Sequence, residues 1–478
     1  MIIAVVLCYF AVLFAISRWT SRRFSGNDAF FRAGRRSPWP LVAFGMVGAS
    51  ISGVTFVSVP GMALTSQMTY LQVCLGFIIG YLAVAFVLLP VYYRLRLTSI
   101  YAYLGQRLGR EAYTTGAWLF IVSKLVGAAL KFYVVCIILQ QFVLVQWGVP
   151  FWLTVTLMVA LIWLYTRRGG VHTLVFTDTF QTLCLLVSLL LIIYIVVGQL
   201  GYNLADAAIA VAGDERSRIF VMDDWRSPHN FWKQFISGAF IVVVMTGLDQ
   251  DMMQKNLTCR TLRDAQKDLC CYGLAFVPVN LLFLSLGVLL AQLFQQEGIA
   301  LPSKGDELLP LFVDGVAATL CTPLTAQFLR VLFVIGIVAT SFSSADSALT
   351  SLTTSYCVDI RGRDADERLR RWAHVVICLL FVVLILAVDS LNSRSLIDTI
   401  YTIVGYTYGP LLGLFAFGLF TRWHVKGHWV PLVCAASPVA CCVVSLLAEQ
   451  CCDYRFGYEL LLLNGLLTFA GLRLSSRP

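Results

Sequence analysis

Residues 39–64 read WPLVAFGMVGASISGVTFVSVPGMAL. The stretch can cross a bilayer, whose ~30 Å hydrocarbon core takes about 20 residues of helix. Yet it carries Gly45, Gly48, Ser50, Ser52 and Gly53, and then Pro60–Gly61, residues that weaken a helix from within. Residues 231–254, FWKQFISGAFIVVVMTGLDQDMMQ, show the same trait, with Gly238 and then Thr246–Gly247–Leu248–Asp249–Gln250–Asp251. Two carboxylates inside a span are costly unless they face protein or water. For one such span, close helix packing through glycine is a sufficient account. Two of them, five spans apart and running in opposite directions, predict an inverted repeat of five plus five helices around a midplane site.

The rest of the chain fits a bilayer. Of its 478 residues, 59% are hydrophobic and 13% charged, and the mean hydropathy is +0.80. A soluble domain averages about 25% charged residues, so this chain could not cover a water-facing surface. About thirteen apolar runs reach spanning length, and unalternating runs of this length are helices. The fold class is all-α and polytopic. We number the spans from zero, because the first, residues 1–17, precedes the repeat. The segment Met1 to Ile16 has no basic stretch before its apolar run and is followed by arginines, which predicts a retained span and not a cleaved signal peptide. The expected divisions are residues 1–38 (extra span and basic loop), 39–198 (first repeat), 199–230 (an outer loop, an ordered or semi-ordered cap holding Asp214, Glu215, Asp223 and Asp224), 231–420 (second repeat) and 421–478 (two further spans).

The +9 net charge has a topological explanation and implies no nucleic acid. Loops of one parity carry Arg18, Arg22, Arg23, Arg32, Arg35 and Arg36; Arg94, Arg96, Arg107 and Arg110; Arg167 and Arg168; Lys255, Arg260, Arg263 and Lys267; Arg361, Arg363, Arg368, Arg370 and Arg371; Arg422 and Lys426; and Arg473 and Arg477. The opposite loops hold Arg216, Arg218, Arg226, Lys233, Lys304, Arg394 and Arg455. The positive-inside rule then predicts a multi-pass protein of the cell (inner or plasma) membrane, N-terminus outside and C-terminus in the cytoplasm. The fifteen cysteines lie mostly in apolar runs, without the spacing of a disulfide framework or zinc site. Cys451 and Cys452 fall in an outer loop, where oxidation is open to them.

Three constellations carry chemistry. In span 8, Thr340, Ser344 and Ser347 share a helical face, with Ser343 one turn from Ser347. Hydroxyls and free carbonyls suit a desolvated alkali cation; serines also pack helices closely and bond back to the preceding turn. Asp346 among them needs a partner. Near the start of span 5, Asp178 either neutralises Arg167 or Arg168, or faces span 8 and shares a cation with its serines. In span 3, Lys124 and Lys131 are seven apart and share a face; one can pair with Asp249 or Asp251, or attract an anionic substrate. His424 and His428 flank Gly427 in a short loop and make no metal site. Asn256–Leu257–Thr258 has glycosylation spacing on the cytoplasmic side. The sequence holds no nucleotide-binding glycine loop and no nucleophile–base pair, which argues against an enzyme and against ATP-driven transport.

Five stretches resemble the sodium:solute symporter family, which includes sodium/glucose, sodium/proline and sodium/sialic acid transporters. They are Phe30–Arg36, FFRAGRR; Ser50–Gly61, SISGVTFVSVPG; Gly169–Asp178; Asp249–Leu257, DQDMMQKNL; and Lys304–Phe312 followed by the Ser343 cluster. The resemblance covers nearly the whole chain. It implies the LeuT-type fold, with one extra N-terminal and two extra C-terminal helices. It implies a sodium site of Gly48 and Ile51 at the break of span 1 with Thr340 (backbone), Ser343 and Ser344. It places a possible second ion at Asp178 and Ser347, with Asp346 standing where many members have a neutral residue. That site could hold sodium, bind a proton, or be a fixed pair with a lysine. The substrate candidates it implies are Ser50, Ser52, Thr55, Tyr70, Gln72, Lys124, Lys131, Asp249 and Gln250, with Tyr406 and Tyr408 as gates.

The expected function is Na+-coupled symport of a small organic solute (a sugar, a sugar acid such as sialic acid, or another organic anion) into the cytoplasm by alternating access. The implied partners are that solute, the coupling ion Na+ and the lipid bilayer; no obligatory protein partner is implied. One charge crossing ~100 mV yields about 2.3 kcal/mol, or about 50-fold accumulation, so one ion suffices. The alternatives are a proton-coupled symporter using Asp178 and Asp346, and an ion channel.

Overall fold

The computed structural model describes residues 2–477 except 25, 226, 363–365, 390–395, 453 and 455. Met1, Arg226, Arg363, Arg394 and Arg455 therefore lie outside the described residues, as do the side chains of Arg23, Cys452 and Arg477. The chain is helical at every expected span. Among the described residues eight helices are long and apolar enough to cross a membrane, or up to ten if each of two bent pairs is one span. The eight are Ile2–Arg22 (span 0), Tyr70–Arg94 (2), Arg110–Phe142 (3), Val171–Gln199 (5), Leu262–Gln296 (7), Pro323–Ile360 (8), Glu367–Asp389 (9) and Trp429–Cys451 (11). Helices Phe151–Gly169, Leu396–Phe420 and Leu460–Leu474 stand at the positions of spans 4, 10 and 12, outside that count.

The bent pairs are the two interrupted spans. Span 1 is Trp39–Ser50 followed by Gly53–Thr65, bent by 64°. Ile51 and Ser52 between them are extended, at φ −80°, ψ 104° and φ −85°, ψ 167°. The interruption is confined to this point: Pro60 and Gly61 lie inside the second half-helix. Gly61 serves packing instead, because a Cβ there would run into the Gly305 carbonyl. Span 6 is Phe231–Gly247 followed by Gln250–Asn256, bent by 69°. Val243–Gly247 widens into a π-turn, Asp249 is extended, and its side chain caps the half-helix by accepting from the Asp251 N–H at 2.8 Å.

The halves of span 1 rest on different neighbours. Trp39–Ser50 packs chiefly on span 5, and Gly53–Thr65 chiefly on span 7 and the turn at Gly305–Glu307. Spans 5 and 8 pack against each other. In residues 199–230 a helix, Leu204–Gly213, is capped by Asn203, whose Oδ1 accepts from Ala205 N and Asp206 N. In the same segment a hydrogen bond from Arg218 (2.8 Å) holds the exposed Asp223 carboxyl below its ordinary range. A short antiparallel pairing, His424–Val425 with Ser476–Arg477, ties the chain's end to the loop before span 11.

Candidate functional site

At the break of span 1 the chain leaves the helix at Ile51, so the carbonyls of Gly48, Ala49 and Ser50 lose their helical donors. Gly48 sits against span 5 so closely that a Cβ would strike Thr182. Span 8 approaches from the other side. Ser343 and Ser344 are consecutive on its helix and so point to different neighbours. Ser344 Oγ donates to the Ala49 carbonyl at 2.9 Å, and Ser343 Oγ donates to Asp178 Oδ1 at 2.7 Å. The Thr340 hydroxyl bonds back to Gly336 O and Ile337 O, both at 2.9 Å. At the break the Ser344 hydroxyl meets the Ala49 carbonyl, and hard oxygens of this kind are what an alkali cation needs in place of its water.

Asp178 has a partner that the sequence reading did not assign to it. Lys255, at the end of the half-helix Gln250–Asn256, brings its ammonium to 2.7 Å from Asp178 Oδ2, and both side chains are almost fully buried. The expected loop charge at 255 is thus a core charge, because the bend of span 6 turns the half-helix inward against span 8. Arg167 and Arg168 are not the neutralising groups. Asp346 takes a different arrangement: Tyr165 of span 4 donates to its Oδ2 at 2.6 Å and Ser347 to its Oδ1 at 3.3 Å. A fixed aspartate–lysine pair therefore exists here, at Asp178 and not at Asp346. Asn256, at the expected glycosylation spacing, is fully buried and donates to Asp268 at 2.7 Å.

Beside the break lies a cavity of about 1300 Å³, mouth included. Seven of the nine substrate candidates line it: Ser50, Ser52, Thr55, Tyr70, Lys124, Lys131 and Asp249. Lys124 is committed, at 3.1 Å from Asp249 and 2.7 Å from Asp251. Tyr408 also lines the cavity and donates to Asp249 at 2.9 Å. Lys131, one face-repeat further along span 3, has no carboxylate within ion-pairing distance among the described residues. The half-helix Gly53–Thr65 opens onto the cavity with no side-chain cap at Ser52, so its first N–H groups are free. Ser341 adds a buried hydroxyl without a partner.

Two candidates stand elsewhere. Gln72 is occupied with His229 O and Gln234, each at 2.9 Å. Gln250 accepts from Ile100 N at 3.0 Å and donates to Thr98 O at 3.1 Å. Both are structural joints between span 2, span 6 and their loops. Tyr406 is not part of the cavity wall; its side chain faces Ser445 and Cys442. Residues the sequence reading missed are Tyr272, which bonds to Ser50 and to Tyr81, and Ser341. Their signal was weak: a tyrosine or serine in a span is common, and nothing local marks which one faces the site. His424 and His428 belong to no metal cluster, of which the described residues contain none. Cys451 is a free thiol.

The sodium:solute symporter family profile matches residues 30–427. The human sodium/iodide cotransporter is 26% identical over 402 residues, covering 82% of this chain and 61% of that protein. The sodium/sialic acid symporter of Aliivibrio fischeri is 25% identical over 440 residues, covering 87% of this chain and 82% of that protein. The chain thus spans less than two thirds of the human protein's length and most of the bacterial one's. Among solved structures, the substrate-bound outward-open state of a Na+-coupled sialic acid symporter superposes with a TM-score of 0.82 at 21% identity, covering 99% of this chain and 97% of the other. That likeness carries the fold, the LeuT-type inverted repeat read from the two broken spans. With broken spans 1 and 6, oxygens gathered from spans 1 and 8, and a match along most of its length, this chain belongs to the sodium:solute symporter family, membrane transporters whose coupling ion is Na+.

Proposed function

We propose that this protein takes up a small organic anion, one Na+ per anion, by alternating access. The observation that carries the reading is the unpaired ammonium of Lys131 facing the same cavity as the uncapped half-helix Gly53–Thr65. A helix N-terminus and a free cation both favour negative charge. The Ser344–Ala49 contact supports sodium binding at the adjoining break. The two relatives described above are named for iodide and sialic acid, both anionic.

The ion-pair geometry supports a single coupling ion. At Asp178 the Lys255 ammonium already supplies the positive charge that a second Na+ would bring. One Na+ with one monoanion moves no net charge, so the membrane potential does no work on the loaded carrier. The Na+ concentration gradient is then the drive. This revises the simple estimate for a neutral solute, where the potential alone would give about 50-fold accumulation.

We keep the division of the chain as residues 1–38, 39–198, 199–230, 231–420 and 421–478. The loop charges support an outside N-terminus and a cytoplasmic C-terminus; an inward Na+ gradient, whatever the topology, makes transport toward the cytoplasm the downhill direction.

A proton-driven cycle is the rival that one contact favours. Asp346 accepts from two hydroxyls and has no cation within ion-pairing distance among the described residues, so the rival rests on Asp346 and no longer on Asp178. Uptake of a carboxylate panel into proteoliposomes decides between them. An inward Na+ gradient should drive uptake with internal and external pH equal. Uptake that follows a pH gradient and ignores Na+ would sink the sodium reading.

A further inference from the structure

Spans 4 and 9 pack side by side, and a second pocket, of about 1380 Å³ with its open mouth included, lies at the end of the molecule where span 4 finishes and span 9 begins. Four arginines line it: Arg167 and Arg168 from span 4, Arg370 and Arg371 from span 9. The carboxylate on its wall, Glu367, is taken by Arg371 at 2.8 Å. Arg167, Arg168 and Arg370 have no carboxylate partner among the described residues.

Arg370 is the telling residue. It is 3% exposed, its guanidinium lies 4.7 Å over the Phe30 ring, and it makes one long hydrogen bond, to Arg167 O at 3.4 Å. Its Nε has no partner, and neither does the buried Ser21 Oγ on the same pocket wall. Burying a guanidinium Nε and a hydroxyl without acceptors is costly. A ligand with several anionic oxygens removes that cost, and a planar guanidinium suits phosphate.

The outer wall tells where the ligand comes from. Trp372, Val376, Leu379 and Val383 are 66%, 49%, 61% and 62% exposed. Their spacing of four, three and four puts them on one face of span 9, running from the pocket along the bilayer-crossing helix. Tryptophans at a span's end mark the headgroup level; Trp163 and Trp372 stand there on either span. Basic pockets between membrane helices are suited to anionic lipid headgroups.

We propose that the spans 4–9 pocket binds the phosphate of an anionic phospholipid, with an acyl chain lying along Trp372–Val383. On the topology proposed above this is the cytoplasmic leaflet. The site is separate from the transport cavity and shares no lining residue with it.

The test uses the delipidated full-length protein in neutral detergent, titrated with phosphatidylglycerol, phosphatidylcholine of the same chains, and inorganic phosphate. Bound lipid is counted by native mass spectrometry. Phosphatidylglycerol should bind in preference to phosphatidylcholine. The double variant Arg168→Gln/Arg371→Gln, both exposed positions, should weaken it on the order of 30-fold, since each cation near an anionic surface is worth roughly fivefold. Arg260→Gln/Arg263→Gln, which removes the same charge elsewhere, should leave binding unchanged. Equal binding of the two lipids, no loss in the first variant, or an equal loss in the second overturns the proposal. Full competition by millimolar inorganic phosphate overturns the lipid assignment in favour of a soluble anion.

Discussion

The Lys255 ammonium stands 2.7 Å from Asp178, joining the second half of span 6 to span 5 in the buried interior. Removing either partner leaves a buried charge unpaired, which typically costs about 3–5 kcal/mol. Lys255→Met and Asp178→Asn should each lower the melting temperature of the purified protein sharply. The double variant should recover most of the loss. Losses that simply add in the double variant would show that the two charges do not act as a pair.

Ser344 tests the sodium site. Its hydroxyl reaches the break of span 1 at Ala49, so at the proposed sodium site Ser344→Ala would remove one oxygen from the ion. A hydrogen bond or ligand contact to a charged group is worth about 1.5–3 kcal/mol. The Na+ concentration for half-maximal uptake should rise at least tenfold or so. An unchanged Na+ dependence in proteoliposomes would remove Ser344 from the site.

The two lysines of span 3 should part company. Lys124 balances Asp249 and Asp251, and Lys124→Met should destabilise the protein, as read by thermal unfolding without substrate. Lys131 lines the cavity with no carboxylate within ion-pairing distance among the described residues, and Lys131→Met should keep the fold and lose the preference for anions in a thermal-shift screen of solutes. If neutral sugars are the hits with the native protein, the anion assignment fails.

A one-to-one cycle with a monoanion is electroneutral. Imposing an inside-negative potential with valinomycin and a K+ gradient, at fixed Na+, should leave accumulation of the substrate unchanged. Accumulation that climbs with the potential requires more than one Na+ per anion and contradicts Lys255 as the standing charge at the second position.

Gly61 offers a packing test away from the ion. Its α-carbon faces the Gly305 carbonyl with no room for a methyl group. Gly61→Ala should push the second half of span 1 off the turn before span 8 and cost about 1–3 kcal/mol, the usual range for overpacking. Gly127, with open space around it, is the control: Gly127→Ala should be neutral or slightly stabilising, since alanine is the better helix former.

The architecture was legible because its determinants are local. Apolar length marks spans, and Gly48–Gly53 and Thr246–Asp251 mark breaks within a few residues. The partners of buried charges were not legible, because they come from distant segments. Lys255 sits in a run of cations and reads as part of a loop until the bend at Asp249 folds its helix inward. The available hint was its place one turn after Asp251. The spacing of Lys124 and Lys131 states a shared face but not which of them meets the aspartates. Gln72 and Gln250 look like binding groups in an apolar context, yet both serve as joints, since a buried amide satisfies a neighbouring backbone as readily as a solute.

The divided footing of span 1 has one more consequence. Its first half rests chiefly on span 5 and its second half chiefly on span 7, so any relative movement of those supports would change the spacing of oxygens at Ile51 and at Ser344. Ion radius then becomes a readout of conformation. At the proposed sodium site an ion of the right size would hold one spacing and so one state; a larger one, such as K+, would fit a different spacing and park the carrier elsewhere in its cycle. Discrimination between cations and the timing of the transport step would then be two faces of a single mechanical joint.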